Sequence, residues 1–257
     1  MSVYTTEIAS DVIASDNPIH QRLLKAYYLS LEYISGNVLE VGCGEGRGVE
    51  LIMSKADSFT GIDKIQKIID NLNSKFPHGN FKQVIIPPFS GIEDNVYDSV
   101  LSFQVIEHIK NDMEYLKEIY RVLKPGGKAL ITTPNIKMSL SRNPWHVREY
   151  TAGELSSLAK NIFPKVQMLG IGGNEKVMAY YEKNKQSVHK LMKWDILNLQ
   201  YRLPSFLLKI PYEILNRVNR NKLKTTNDDL VNEIHHSDYI LTNDPENSLD
   251  LFCIMEK

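Results

Sequence analysis

The spacing of apolar residues along the chain alternates between helical and strand-like periods. Residues 20–34 place apolar side chains at helical spacing and end before Gly36, and residues 37–41 form a short apolar run typical of a buried strand. The same pattern predicts strands at 58–62, 81–86, 97–103 and 128–133, and helices at 49–54, 65–76 and 112–123. Because strands alternate with helices, we predict right-handed βαβ units on a parallel sheet.

The pattern becomes less regular after the fifth predicted strand. Thr151 and Glu154 have the spacing of a capping box, which predicts a helix over 151–162. Two more strands are predicted, at 166–171 and 249–255. The segment between these strands is too long for a structureless connection, so we predict a helical insert over 173–236.

Composition and charge exclude several classes of protein. The 257 residues are 42% hydrophobic and 24% charged, which is an ordinary globular composition. Thirty basic residues against thirty-one acidic ones give a net charge of −1, which argues against a general nucleic-acid binder. Cys43 and Cys253 are too few and too far apart for a zinc site or a disulfide framework, and we expect no bound metal.

Targeting signals are also missing from the sequence pattern. Residues 1–15 lack the basic and then apolar pattern of a signal peptide. No apolar run approaches the roughly 18 residues that a membrane span needs. We therefore expect a cytoplasmic protein without a transmembrane segment.

The strongest chemical signal is the segment 38–46, Val-Leu-Glu-Val-Gly-Cys-Gly-Glu-Gly. It predicts a strand that contains Glu40 near its end, followed by a glycine-rich turn into a helix. Glycines in such a turn adopt positive φ and let a ligand approach the backbone. A dinucleotide fingerprint needs glycine at the first, third and sixth positions from Gly42, and the sixth is Arg47. This argues against a nicotinamide-dependent oxidoreductase.

The Gly-x-Gly-x-Gly turn, with Glu40 before it and Asp63 at the end of the next predicted strand, resembles class I S-adenosylmethionine-dependent methyltransferases. Segments 97–109 and 123–128 resemble the family's fourth-strand motif and the turn before its fifth strand. Within this family, the sequence resembles the small-molecule type and is similar to the ubiquinone-biosynthesis-like methyltransferases. The resemblance implies a Rossmann-like α/β fold: a seven-stranded, mostly parallel sheet with helices on both faces and a helical insert before the last strand.

The resemblance also implies the organisation of the chain and its cofactor, S-adenosyl-L-methionine. We predict a single methyltransferase domain over 1–257, with a cofactor-binding core at 20–172 and 237–257. The insert at 173–236 would be a helical lid over the active site. The residues expected to bind the cofactor are Glu40, Gly42, Gly44, Asp63, Lys64, Ser102 and Gln104.

Each of these roles follows from the shape and charge of the cofactor. Asp63 would accept hydrogen bonds from the two ribose hydroxyls, although an aspartate here is also a common helix N-cap. Glu40 would lie beneath the positively charged methionine end. Gly46 is expected to serve helix packing. Two positions depart from the family: where it has an acid that reads adenine and then a small residue, this sequence has Ile86 and Pro87. Adenine recognition would therefore rest on backbone and apolar contacts or on another side chain.

Two histidines are candidates for a general base, which is needed only if the acceptor must lose a proton. His108 follows the fourth predicted strand and suits a structural role as well as a catalytic one. His146 lies in the segment 143–151, which resembles the stretch before the next helix in many small-molecule methyltransferases, and we expect it to line the pocket. Trp145 and Tyr150 would anchor that loop by packing.

The predicted insert is basic in its first part and acidic from residue 227 onward. Solvated helix faces account for such runs, and the alternative is a lid whose basic face meets an anionic substrate or a membrane surface. We expect Lys209, Arg217 and Arg220 to meet an anionic acceptor. The apolar stretch 203–212 is either a buried lid helix or a peripheral membrane contact.

The function that these observations favour is methyl transfer to a small-molecule, glycan or lipid-linked acceptor, without a nucleic-acid partner. A non-catalytic S-adenosylmethionine-binding protein is the alternative, because the Ile86-Pro87 departure is typical of relaxed function.

Overall fold

The computed structural model describes residues 13–193, 195 and 198–257. Residues 1–12, most of the segment that lacks a signal-peptide pattern, lie outside the described residues. In the described part of the chain, eight strands form one sheet. They are β1 (Asn37–Val41), β2 (Ser58–Asp63), β3 (Asn80–Gln83), β4 (Tyr97–Phe103), β5 (Leu123–Pro134), β6 (Lys165–Gly173), β7 (Tyr239–Thr242) and β8 (Asp250–Glu256).

The strand order is β3-β2-β1-β4-β5-β8-β6-β7. The first five strands pair in parallel, and β8 lies antiparallel between β5 and β6. The parallel half is therefore the βαβ arrangement that the sequence pattern predicts. Since the carboxyl ends of parallel strands meet at one edge, the loops after β1, β2 and β4 lie together there.

Helices cover both faces of the sheet. They are α1 (Asn17–Ser30), α2 (Val49–Met53), α3 (Gln66–Lys75), α4 (Asp112–Val122), α5 (Ala152–Lys160), α6 (Glu175–Met192), α7 (Leu199–Arg202), α8 (Ser205–Thr226) and α9 (Asp228–Asn232). One buried apolar cluster holds side chains of α1, α2, α3, α6, α8 and α9, and the other holds side chains of α4 and α5. The central strands are buried on both faces, as their continuous apolar runs require.

Two expectations about the sheet need correction. It has eight strands rather than seven, because β7 pairs with β6 at the edge, and β7 also separates the helical segment 173–236 from the last strand. The third strand ends at Gln83, before the predicted Ile86, and two prolines follow Ile86. A proline has no N–H to donate to a strand pair, so pairing cannot extend through this segment.

A buried ion pair fixes α8 on the rest of the molecule. Asp16, just before α1, is fully buried and accepts hydrogen bonds from Arg217 (2.9 Å) and Arg220 (3.0 Å) of α8. These two arginines therefore stabilise the docking of α8, which corrects the expectation that they meet an anionic acceptor. Among the described residues, no helix combines the length and the hydropathy needed to cross a membrane.

Candidate functional site

The glycine turn after β1 is held by the neighbouring strand. Gly42 and Gly44 have φ of +75° and +49°, and the backbone N–H groups of Gly42 and Cys43 donate to the carbonyl of Ile62 at 2.8 and 3.1 Å. A side chain with a Cβ is strained at such positive φ, which explains the glycines.

The three glycines of the turn face different surroundings. A Cβ on Gly42 would lie 2.5 Å from Val105, and a Cβ on Gly46 would lie 2.5 Å from Leu72 of α3. A Cβ on Gly44 would meet no described heavy atom within 4 Å. Gly46 thus has the helix-packing role that the sequence predicts, and the backbone at Gly44 is open to a ligand.

Asp63 ends β2 beside this turn. Its carboxylate accepts hydrogen bonds from the backbone N–H of Gly44 (3.1 Å) and of Ile65 (3.0 Å). The N-cap of α3 is Ile65, so the alternative role of Asp63 as the N-cap residue does not apply. Lys64 is exposed next to it, and its carbonyl accepts from the side chain of Gln83 at 3.0 Å.

Glu40 is a buried carboxyl group under α1. The Tyr27 hydroxyl donates to Glu40 Oε1 at 2.6 Å, and Oε2 has no hydrogen-bond partner among the described residues. Burial raises the pKa of Glu40 to about 7, against the lowering effect of the Tyr27 hydrogen bond. The ring of Tyr27 packs directly on Gly48, where a Cβ would lie 1.8 Å from it. The sequence pattern placed Tyr27 only on the apolar side of its helix.

The end of β4 supplies two predicted residues, and they point in different directions. The Ser102 hydroxyl is fully buried and shares a 2.6 Å hydrogen bond with Tyr115 of α4, so it faces the α4 layer. Gln104 has φ of +58°, donates its backbone N–H to the carbonyl of Thr132 at 2.9 Å, and lines a cavity. Of the two side chains, only Gln104 lines the cavity.

That cavity has a volume of about 260 Å³ and lies between the carboxyl edge of the sheet and helices α1, α6 and α8. Its wall carries hydroxyl and amide groups from α8, Tyr212, Asn216 and Asn219, together with Asn184 of α6. These residues were not identified from the sequence, because helical periodicity does not distinguish a cavity wall from a solvated face.

His108 and His146 meet at the cavity, with ring centroids 5.0 Å apart and the rings edge to face. The Nδ1 of His108 lies 3.0 Å from the carbonyl oxygen of Trp145. Since a carbonyl can only accept, His108 carries a proton on Nδ1. Burial lowers the pKa of His108 to about 4, so its ring is neutral near pH 7.

His146 has a carboxylate on one side and an amide on the other. Its Nδ1 lies 2.6 Å from Oε1 of Glu149, and its Nε2 lies 2.8 Å from Nδ2 of Asn143. Asn143 Oδ1 accepts from the N–H of Trp145 (3.0 Å), which orients the amide so that Nδ2 faces His146. The proton of the neutral ring is therefore on Nδ1, toward Glu149, and the lone pair is on Nε2.

A second buried carboxyl group, Glu107, lies beside this pair. Thr133 donates to its Oε2 at 2.9 Å, and burial raises its pKa to about 7, with His146 acting in the opposite direction. Glu107, His108 and His146 each bring one potential ligand atom within 4.8 Å of the others. Such a group can hold a divalent cation, and it can equally handle a proton.

The comparisons with known proteins agree with this geometry. Residues 39–131 match the methyltransferase domain family. A Mycolicibacterium smegmatis protein named "Probable S-adenosylmethionine-dependent methyltransferase" is 39% identical over 132 residues, which are 48% of this chain and 49% of that protein. The mitochondrial ubiquinone biosynthesis O-methyltransferase of Dictyostelium discoideum is 33% identical over 47% of this chain and 39% of its own. The chain thus spans about half the length, or less, of these relatives.

Solved structures show the fold over nearly the whole chain. A SAM-dependent methyltransferase from Thermotoga maritima superposes with a TM-score of 0.57 at 12% identity, covering 93% of this chain and 91% of its own. Residues 39–131 thus match the methyltransferase domain family and are similar to S-adenosylmethionine-dependent methyltransferases, and this likeness implies S-adenosylmethionine as the cofactor.

Proposed function

We propose that this chain transfers a methyl group from S-adenosylmethionine to a small-molecule acceptor with a hydroxyl nucleophile. The observation that supports this most directly is the shared edge of the sheet. The open glycine turn and the cavity lie at the carboxyl ends of neighbouring strands, and the cavity holds a histidine with its lone pair on Nε2.

The residues at the glycine turn fit the cofactor in three respects. The backbone at Gly44 is open, so a ligand can lie against it. Asp63 places a carboxylate at the end of β2, where ribose hydroxyls can donate to it. Glu40 has a buried oxygen without a partner among the described residues, which suits a positively charged group. With Ile86 and Pro87 after β3, adenine would be bound by backbone and apolar contacts or by another side chain.

When bound, S-adenosylmethionine supplies a methyl group on a positively charged sulfur, which is already activated for displacement. The residues of this chain then have three tasks: to align the acceptor, to exclude water and to accept its proton. We assign proton acceptance to Nε2 of His146, with Asn143 displaced by the acceptor. Glu149 orients the ring and stabilises its charged form, and neutral His108 forms the adjoining wall.

The charges in the cavity favour a neutral, polar acceptor. The two arginines of the wall are paired, Arg22 with Asp250 at 3.2 Å and Arg220 with Asp16 at 3.0 Å. Asn219 donates to Asn184 Oδ1 at 2.8 Å, and the remaining amide donors and acceptors of Asn184 and Asn216 can bind acceptor hydroxyls by hydrogen bonds. A free small molecule, a glycan or the head of a lipid-linked acceptor would fit this chemistry, and a cytoplasmic location is part of the proposal.

The test is release of S-adenosylhomocysteine from S-adenosylmethionine in the presence of phenols, sugars and a lipid extract, offered separately. We expect release with at least one class of acceptor. Cofactor binding by calorimetry without release for any class would instead favour the non-catalytic alternative.

Replacement of Asp63 by alanine should weaken S-adenosylmethionine binding by about 1.5–3 kcal/mol, the range for hydrogen bonds to charged groups. Isothermal titration calorimetry measures the change. Asp57→Ala, exposed near the amino end of the same strand, is the matched control and should bind normally. Normal affinity of Asp63→Ala would remove this residue from the site.

Gly44→Val should weaken cofactor binding by about a hundredfold or more, or about 2.7 kcal/mol, because the side chain would occupy the open space at the turn. Gly126→Val is the matched control: Gly126 also has positive φ and no described atom within 4 Å of a Cβ, but it lies near the amino end of β5, at the opposite edge of the sheet. Equal affinities of the two variants, with circular dichroism showing folded protein, would contradict the assignment.

Cofactor binding near pH 7 should release protons, and affinity should rise as the pH passes through about 7. The reason is that burial holds the pKa of Glu40 at about 7, and a nearby positive charge favours the ionised carboxylate. Calorimetry in buffers of different ionisation enthalpy measures the protons released. Glu40→Gln should no longer release these protons on cofactor binding. Glu50→Gln, exposed on α2, should release them as the wild type does. Equal release by both variants would contradict the role of Glu40.

His146→Gln should lower kcat/KM about 10²–10⁴-fold with the best acceptor, the usual contribution of a general base. His78→Gln, an exposed histidine, is the control. Glu149→Gln should lower kcat/KM by a smaller factor, because the carboxylate that accepts from Nδ1 and orients the ring is replaced by an amide.

Two results would contradict this assignment. An unchanged rate for His146→Gln would exclude a base at this position. Loss of activity on dialysis against a chelator, restored by a divalent cation, would make Glu107, His108 and His146 a metal site instead.

A further inference from the structure

The outer face of α8 is apolar and exposed. Six large side chains share this side of the helix, and between 48% and 72% of their surface is accessible: Phe206, Leu207, Ile210, Ile214, Leu215 and Val218. A helix at the surface of a globular protein usually turns its apolar stripe inward, so an outward stripe of this size marks a contact surface.

The opposite side of α8 accounts for its packing. Tyr212, Asn216 and Asn219 line the cavity, and Leu223 is buried in the core. Helical spacing places these residues about half a turn away from Ile210 and Ile214. The inner side of α8 is therefore mainly polar along the cavity and apolar at Leu223. These contacts and the ion pairs with Asp16 hold α8 in place without the outer apolar stripe.

The charge of α8 and the residues around it indicates which kind of partner the apolar face binds. Residues 199–226 contain six basic side chains, Arg202, Lys209, Arg217, Arg220, Lys222 and Lys224, and one acidic side chain, Glu213. Arg217 and Arg220 pair with Asp16, and Trp145 Nε1 donates to Glu213 at 3.0 Å. Lys222 and Lys224 lie near the two edges of the apolar stripe by helical spacing. Apolar side chains flanked by bases fit an interface of lipid headgroups and acyl chains with negative charge.

A second copy of this chain fits the same surface less well. In a twofold dimer the same patch meets itself, so the basic side chains of one copy would face those of the other. An anionic lipid surface brings the opposite charge.

We propose that the outer face of α8 binds the surface of an anionic membrane. With α8 on the bilayer, the cavity lies directly behind the helix, next to the membrane. An acceptor whose polar head is carried on a lipid could then reach His146 without leaving the membrane surface. The binding step does not depend on methyl transfer, so its failure and the failure of the proposed function are distinguishable.

Vesicle flotation tests the proposal, with phosphatidylcholine vesicles that contain or lack phosphatidylglycerol. The wild-type chain should float with the anionic vesicles, and higher salt should weaken its binding because exposed charges are screened. The double variant Ile210→Glu, Ile214→Glu should bind these vesicles at least about tenfold more weakly. Ile85→Glu is the matched control, because Ile85 is about as exposed as Ile210 (75% against 72%). Ile85 lies near β3, at one edge of the sheet, and is not part of α8. This control should float as the wild type does.

A second variant keeps the test informative if the double glutamate variant does not fold, which circular dichroism would show. Lys222→Glu with Lys224→Glu leaves the apolar stripe intact and should lose the preference for anionic vesicles. No flotation of the wild-type chain, or equal flotation of all variants, would overturn the proposal. Self-association in light scattering that Ile210→Glu, Ile214→Glu abolishes, without flotation of the wild type, would assign the surface to a second copy.

Discussion

The contact between Tyr27 and Glu40 joins the covering helix to the strand that begins the glycine turn. Tyr27 can approach only because residue 48 is glycine, and its hydroxyl then reaches the carboxyl group of Glu40 at 2.6 Å. A buried carboxyl group with one satisfied oxygen is costly, and the hydrogen bond offsets part of that cost. This contact therefore helps to fix the position of α1, and α1 in turn forms one wall of the cavity through Arg22 and Leu23.

The ion pairs of Asp16 join α8 to the start of α1. Asp16 immediately precedes α1, and Arg217 and Arg220 both reach its buried carboxylate. The glycine turn, α1 and α8 thus form one connected structure, although the segments lie far apart in the sequence. A helix held from its inner side in this way can leave its outer face apolar and exposed without losing its place in the fold.

The sequence carries enough information for the parallel half of the sheet. β1 lies at the predicted residues, and Thr151 and Glu154 form the predicted capping box of α5. These features follow from local patterns, which are apolar runs, glycine turns and cap spacing. β7 was not predicted, because the apolar run of a four-residue edge strand is too short to distinguish the strand from a loop. Only its pairing with β6 defines β7 as a strand.

The sequence also predicts which residues of the candidate site lie together, but not which way each side chain points. Glu40, Gly44, Asp63 and Gln104 lie at one edge of the sheet because they follow adjacent strands. The side on which Ser102 points was not predictable, since β4 is buried on both faces and its apolar pattern has no polar side. The ion pair between Arg217 and Asp16 was also not predictable from the sequence. The two residues are about two hundred positions apart, and only the folded chain brings them together.

The arrangement of charge around the cavity explains why a base can operate there. His108 and His146 are close enough that both rings cannot be charged at once without strong repulsion. Burial keeps His108 neutral, against the opposite effect of its hydrogen bond to the Trp145 carbonyl, and Glu149 Oε1 lies beside Nδ1 of His146. A proton taken from an acceptor is therefore held most favourably by His146. Of the basic side chains of α8, Arg217 and Arg220 pair with Asp16, and Lys209 lies over the ring of Trp145. The proposed base in the cavity and the proposed membrane surface therefore lie on opposite sides of α8.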